Sequence, residues 1–101
     1  MLIDEDAFSA TDNLCRCLRD LHPDVTFVGR PTGGGTGAPG PFVKLKHSGA
    51  VITLCTIRVT GPKGDLIEGS GTAPDLVVRP TRAGVLAGRD EVLDAALSRV
   101  R

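Results

Sequence analysis

LIDEDAFSATDNLCRCLRDLHPDVTFVG, residues 2 to 29, decides how this chain is read. Leu2 and Ile3 belong to an apolar strand over residues 1 to 5. An acidic turn follows, and then Ser9 at the mouth of an amphipathic helix. Ala10, Leu14, Cys17, Leu18 and Leu21 recur at steps of three and four, which predicts a helix from Ser9 to Leu21 with one buried stripe. Ser9 and Asp12 give an S-x-x-D start close to a capping box, with an acid near the positive helix end. His22-Pro23 stops the helix. Asp24 to Gly29 reads as a second strand. Strand, helix and strand joined by short links form a βαβ unit, which implies a parallel pair and an α/β class.

The rest of the chain works outward from this unit. Arg30 to Pro41, RPTGGGTGAPGP, is too long and too glycine-rich for simple linkage. Its residues suit either a binding loop or a flexible connector. Phe42 to His47, Ser48-Gly49 and Ala50 to Thr60 read as a β-hairpin with one strongly apolar face. Gly61 to Gly64 is a turn, and Leu66 and Ile67 lead into Glu68 and GSGTAPD. Leu76 to Arg79 is a short strand ended by Pro80. A loop with Gly84 and Gly88 precedes a helix from Asp90 to Val100, whose stripe is Val92, Leu93, Ala96, Leu97 and Val100. Asp90 and Glu91 stand at its positive end, and Arg99 and Arg101 at its negative end.

One hundred and one residues make one domain at most, with a small core. Three Phe and neither Trp nor Tyr leave that core to aliphatic side chains. Twelve basic residues balance twelve acidic ones, so there is no electrostatic footprint for nucleic acid or an anionic membrane. No apolar run nears the roughly 20 residues of a membrane span, and MLIDEDAF lacks the basic start of a signal peptide. A cytoplasmic location is the default and the compartment is otherwise unknown. Cys15, Cys17 and Cys55 fit no zinc spacing and read as free thiols used as small apolar residues, which favours a reducing compartment.

Taken singly, the candidate chemical residues say little. GGGTG lacks the Lys-Ser or Lys-Thr of a phosphate loop, and a strand rather than a helix follows it. Its glycines permit close backbone approach to a substrate or another segment. A helix-starting serine such as Ser9 is usually a cap, and a lone Glu68 before glycine is usually a solvated turn residue. His22 and His47 have no spacing that selects either as a base for Ser9, so spacing alone establishes no triad.

The order of segments carries more. LIDEDAFSATDNLCRCLRDLHPDVTFVGRPTGGG, a hairpin, GDLIEGSGTAPDLVV and GRDEVLDAAL together resemble the C-terminal half of the catalytic domain of tail-specific (C-terminal processing) serine proteases. That family also includes the tricorn core protease and the interphotoreceptor retinoid-binding proteins. Its members read strand, T-x-S-A-x-E, helix, strand and G-x-x-T-x-G, then I-E-G-x-G-x-x-P-D and a closing helix. The segment from Ile67-Glu68-Gly69 to Pro74-Asp75 is the most specific match.

The resemblance implies a ClpP/crotonase-like fold, with residues 1–101 as a single-domain fragment. It is a strand-helix-strand unit followed by a hairpin region and a C-terminal helix. It places Ser9 at the nucleophile, the Ala10 N–H at the oxyanion hole, and Gly33, Gly34 and Gly35 in the oxyanion and substrate-binding loop. Asp12 stands where the motif has Glu, and Ala7 where it has Thr. One branch uses a Lys base with a Gln four residues later, but this chain has Gly35 in the lysine position and Pro39 where the Gln would be, so no serine–lysine dyad is expected. The tricorn-like branch uses a His supported by a Glu, and Glu68 takes that place. The His would come from the missing N-terminal half of the domain.

The expectation is therefore a serine peptidase fragment acting on peptide or protein substrates, inactive alone, with no cofactor and no metal. An oligomer is compatible with it. A non-catalytic ligand- or peptide-binding module of the same fold is the alternative, and a remnant unable to fold alone is a third reading.

Overall fold

A computed structural model of the chain describes residues 1–37 and 39–100, with the backbone alone for Pro39. The expectations attached to the Pro39 side chain and to Arg101 fall outside the described residues. The chain is a mixed α/β structure. Its elements are β1 (Leu2–Ile3), α1 (Ala10–Leu21), β2 (Val28–Gly29), β3 (Pro39–Lys44), β4 (Val51–Cys55), β5 (Leu76–Val77), α2 (Arg82–Leu86) and α3 (Glu91–Val100).

β1, β2 and β5 form a parallel sheet in that order, with Leu2 beside Val28 and Val28 beside Leu76. The expected βαβ unit is present as β1, α1 and β2. Its strands are shorter than the apolar runs suggest, because only two residues of each meet a neighbour in register. Gly29 (φ 130°) makes the closest approach: a Cβ there would lie 2.1 Å from the Ile3 carbonyl oxygen. Only glycine lets β2 sit so near β1.

The core lies between the sheet and α1. Ile3, Cys15 and Phe27 are buried together, with Leu18 and Val25 packed against them. Strand alternation sends Leu2 and Val28 to the other face, where α3 lies against β1 and β2.

The helix corrects the sequence reading. α1 buries Asp12 and Cys15, while Leu14 and Leu21 are 52% and 60% exposed. Ala10 and Cys17 are exposed as well. Four of the five residues of the expected stripe thus face away from the sheet, and Leu18 alone is partly buried. Asp12 wins the inward position because the glycine-rich loop offers its carboxylate three donors, as described below.

The far end of α1 is tied to the last strand. Arg19 donates to Asp75 Oδ1 at 2.5 Å and to the Ala73 carbonyl at 2.7 Å, and its guanidinium stands 4.4 Å from the Phe27 ring centroid. Asp75 Oδ2 accepts the Phe27 N–H at 2.7 Å. Ala73 and Asp75 thereby clasp the chain entering β5 onto α1 and onto Phe27, the residue before β2.

The hairpin β3–β4 pairs antiparallel, with Val43 opposite Ile52 and an irregularity between Pro39 and Phe42. It starts before the predicted Phe42 and ends before the predicted Thr60. Phe42, Val43, Val51 and Leu54 are all exposed on it. The molecule is 59 × 37 × 15 Å with a radius of gyration of 17.5 Å, against the roughly 13 Å of a compact domain of about 100 residues. It is a thin slab with a projecting arm.

α2 was not expected, since Gly84 and Gly88 read as loop. Thr81 caps it by accepting the Gly84 N–H at 3.0 Å, and Glu91 from α3 takes the Thr81 N–H and hydroxyl. The hydrogen bond from the Thr81 N–H is the main reason the Glu91 carboxyl lies below the usual carboxylate range. Asp90 caps α3 through the Leu93 N–H at 2.9 Å.

Candidate functional site

Ser9 carries φ 58° and ψ −117°, the one positive φ on a non-glycine among the described residues. For an L-residue this backbone is strained, and such strain collects where geometry serves a function. The side chain makes no capping bond to the helix it precedes. The expected capping box is therefore absent: the Ser9 side chain bonds no helix donor, and the Asp12 carboxylate is taken up by the loop. A sharp strand-to-helix corner of this kind can present a serine hydroxyl outward, and among the described residues the Ser9 side chain makes no cap bond.

Two backbone bonds hold the corner against the glycine-rich loop. Gly33 donates to the Ala7 carbonyl at 3.0 Å, and Ser9 donates to the Gly35 carbonyl at 2.7 Å. The Ser9 N–H is thus occupied. Among the described residues the Ala10 N–H donates to none, and it opens at the positive end of α1.

Asp12 organises the loop. Its Oδ1 accepts the Thr32 hydroxyl at 2.6 Å, and its Oδ2 accepts the N–H groups of Gly34 (2.7 Å) and Gly35 (3.2 Å). Thr32 Oγ1 in turn accepts the Thr72 N–H at 2.6 Å. All of these polar groups are buried, where an unmade hydrogen bond is costly. The loop is therefore fastened rather than a free connector. Gly34 (φ 70°) and Gly71 (φ 62°) meet back to back inside it, and a Cβ on Gly34 would lie 2.7 Å from the Gly71 nitrogen.

Glu68 meets the loop at Thr36, the residue after the Gly35 that Ser9 bonds. It is exposed, and its Oε2 accepts the Thr36 N–H at 3.2 Å. Thr36 Oγ1 donates to Asn13 Oδ1 at 2.6 Å, one helical turn after Ser9. The next residue, Gly69, donates to the Gly34 carbonyl at 2.6 Å. Ser9 and Glu68 do not hydrogen-bond to each other. Each meets the same loop, Ser9 at the Gly35 carbonyl and Glu68 at the Thr36 N–H.

A cleft of ≈ 490 Å³ opens beside Glu68, walled by Cys55, Ile57, Val59 and Leu66. A larger one of ≈ 710 Å³ contains neither Ser9 nor Glu68. Among the described residues no cluster of His, Cys, Asp and Glu is fit to hold a metal. Among the described residues no helix is long and apolar enough to cross a membrane.

Phe8 accounts for glycine at position 35. A Cβ on Gly35 would lie 1.8 Å from Phe8 Cε2 and 2.4 Å from Cζ. The Phe8 ring occupies the space into which a side chain at 35 would grow, so a larger residue there would have to displace this exposed ring toward solvent.

Sequence reasoning named Ser9, Ala10, Gly33, Gly34, Gly35 and Glu68, and the structure brings these into one neighbourhood. It missed Thr32, Thr36, Thr72 and Asn13, and it took Asp12 as a cap. The available signal was T-G-G-G-T itself: two hydroxyls bracketing a run of bare N–H donors demand an acceptor, and Asp12 is the acid on the adjoining helix.

The fold and corner define a mixed α/β domain that presents a serine at a helix mouth against a glycine-rich loop. Residues 1–78 match the family model for peptidase family S41, and the chain belongs to that family. A crystal structure of a candidate peptidase from Parabacteroides merdae ATCC 43184 is similar, with a TM-score of 0.80 and 31% identity. The similarity covers 96% of this chain and 30% of that one, so the chain spans under a third of that protein's length. No curated protein sequence matches the chain.

Proposed function

We propose that this chain is the nucleophile-bearing part of a serine peptidase catalytic domain with a ClpP/crotonase-like fold, of the histidine-based, tricorn-like branch. The strained Ser9 backbone, with its hydroxyl free of any cap bond, is the observation that carries the reading.

In this reading a histidine from outside the chain takes the Ser9 hydroxyl proton as Oγ attacks the scissile carbonyl carbon. The oxyanion then meets the Ala10 N–H and the positive end of α1. Collapse expels the amine, which leaves with the proton held by the histidine. Water reverses the steps on the acyl-serine. Glu68 orients the histidine, held for that task by the Thr36 N–H. Gly33, the exposed one of the three loop glycines, lies beside the substrate backbone, with Gly34 and Gly35 buried behind it as its support. The partner is the domain's N-terminal half, and the substrate is a peptide or protein.

A serine without its base is a poor nucleophile, so the isolated chain should not turn over peptides. The full-length protein should label at Ser9 with a fluorophosphonate and lose the label in Ser9→Ala. Equal labelling of the two would sink the nucleophile assignment. Absence of label in the full-length wild type would favour a non-catalytic peptide- or ligand-binding module on the same scaffold.

A further inference from the structure

Phe8 directly precedes Ser9 and is 60% exposed, so it is no part of the core formed by Ile3, Cys15, Phe27, Val28 and Ile67. Its ring nonetheless has a fixed seat. An added Cβ on Gly33 would stand 3.3 Å from Phe8 Cδ2, and on Gly35 1.8 Å from Cε2, so one edge of the ring lies along the Gly33–Gly35 backbone. The bonds from Gly33 to Ala7 and from Ser9 to Gly35 bracket it on both sides and hold its Cα in place. One surface of the ring is seated on glycine backbone, and much of the rest stays open beside the serine.

We propose that Phe8 is a specificity-determining residue: it forms the apolar wall of the subsite for the side chain next to the scissile bond, and selects aliphatic or aromatic residues there. The proposal rests on Ser9 being the nucleophile.

Reach supports it. Attack requires the scissile carbonyl carbon within about 3–3.5 Å of Ser9 Oγ. Consecutive Cα atoms are about 3.8 Å apart, so Phe8 stands within reach of the substrate residue that flanks this carbon. The glycines opposite carry no side chain to compete for the space. Covering an exposed aromatic surface with an apolar side chain gains about 25 cal/mol for each Å² removed from water, whereas a charged side chain there would lose hydration without a partner.

The test uses the full-length protein and a peptide series that differs only at the residues flanking the scissile bond: Leu, Phe, Ala and Asp. The wild type should cleave the Leu and Phe peptides with the higher kcat/KM. Phe8→Ala should shrink the Leu-to-Ala preference about tenfold or more, the range that one or two methylene contacts supply. Phe8→Leu should retain most of the preference, and its unfolding midpoint serves as the folding control. A uniform loss on all four peptides in Phe8→Ala, or an unchanged preference, overturns the assignment of Phe8 alone. A wild type with no Ser9-dependent turnover overturns the peptidase reading and this one with it, and is seen before Phe8 is altered.

Discussion

The Asp12 carboxylate accepts the Thr32 hydroxyl at 2.6 Å, and the same Thr32 oxygen accepts the Thr72 N–H, so two residues of α1 and the loop fix a third segment. Removing either residue strands buried donors. Asp12→Ala leaves the Thr32 hydroxyl and the Gly34 and Gly35 N–H groups unpaired, and should cost about 2–4 kcal/mol. Thr32→Val should cost roughly 1–3 kcal/mol by stranding the Thr72 N–H. Urea unfolding of the two variants and their double mutant measures both. Strictly additive effects would show that the network is not shared.

Phe8 and Gly35 form a second coupled pair. Gly35→Ala pushes the Phe8 ring toward solvent, which an exposed side chain can follow, and should destabilise by about 1 kcal/mol, the low end of overpacking. In a Phe8→Ala background the same change should cost markedly less. A double-mutant cycle on unfolding free energies reads the difference, and an equal cost in both backgrounds would contradict the ring's placement.

Ser9 offers a test of strain that needs no substrate. Glycine adopts φ 58° without penalty, whereas alanine inherits the strain. Ser9→Gly should be more stable than Ser9→Ala by about 1 kcal/mol, a reversal of the usual order. Paired thermal melts decide it.

Asp75 gives the fold an acid-sensitive contribution. The hydrogen bond from Arg19, helped by the Phe27 N–H, holds its carboxyl below the ordinary value. A folded pKa below the unfolded one adds stability that is complete above the usual carboxylate value of about 3.9 and disappears as pH falls through the folded value. Because Asp75 is exposed, solvent screens the pair and the contribution should stay under about 1 kcal/mol. Arg19→Gln should flatten this part of the stability profile between pH 6 and pH 3, followed by urea midpoints.

The cysteines should separate by reactivity. Cys15 is buried and its thiol is pushed up by desolvation, with the Asp12 carboxylate adding to the effect, while Cys17 and Cys55 are exposed. Brief alkylation of the folded chain should modify Cys17 and Cys55 and spare Cys15, as read by peptide mass spectrometry.

The parts legible in the sequence were those governed by local rules. Leu2-Ile3, the helix to His22-Pro23 and DVTFVG predict the βαβ unit because periodicity and a proline stop act within a few residues. Which face of α1 is buried was not legible. The count of apolar residues favours Leu14 and Leu21, but the inward face is decided by donors 20 or more positions away, at Thr32, Gly34 and Gly35. α2 was hidden for a similar reason, since its stop-and-start glycines are offset by Thr81 and by Glu91 from the next helix. Ser9 was located by the order of motifs around it, whereas its strained backbone is a property of the corner that no residue type announces. Thr36 as the holder of Glu68 acts through its main-chain N–H, which every non-proline residue possesses and no composition reveals.

The clasp of Arg19 onto Asp75 gives α1 the role of a strut. Ser9 stands at one end and Arg19 ten residues on, about 15 Å along the axis at 1.5 Å per residue. Glu68 reaches the loop from the same stretch of chain that Asp75 anchors. The spacing between the serine corner and the Glu68 segment is thus gauged by a whole number of helical residues. A single deletion within α1 would shorten the strut by about 1.5 Å and rotate Arg19 by roughly 100° away from its carboxylate. The length of this helix is therefore fixed by the site at both of its ends, more tightly than the identity of the exposed residues along it.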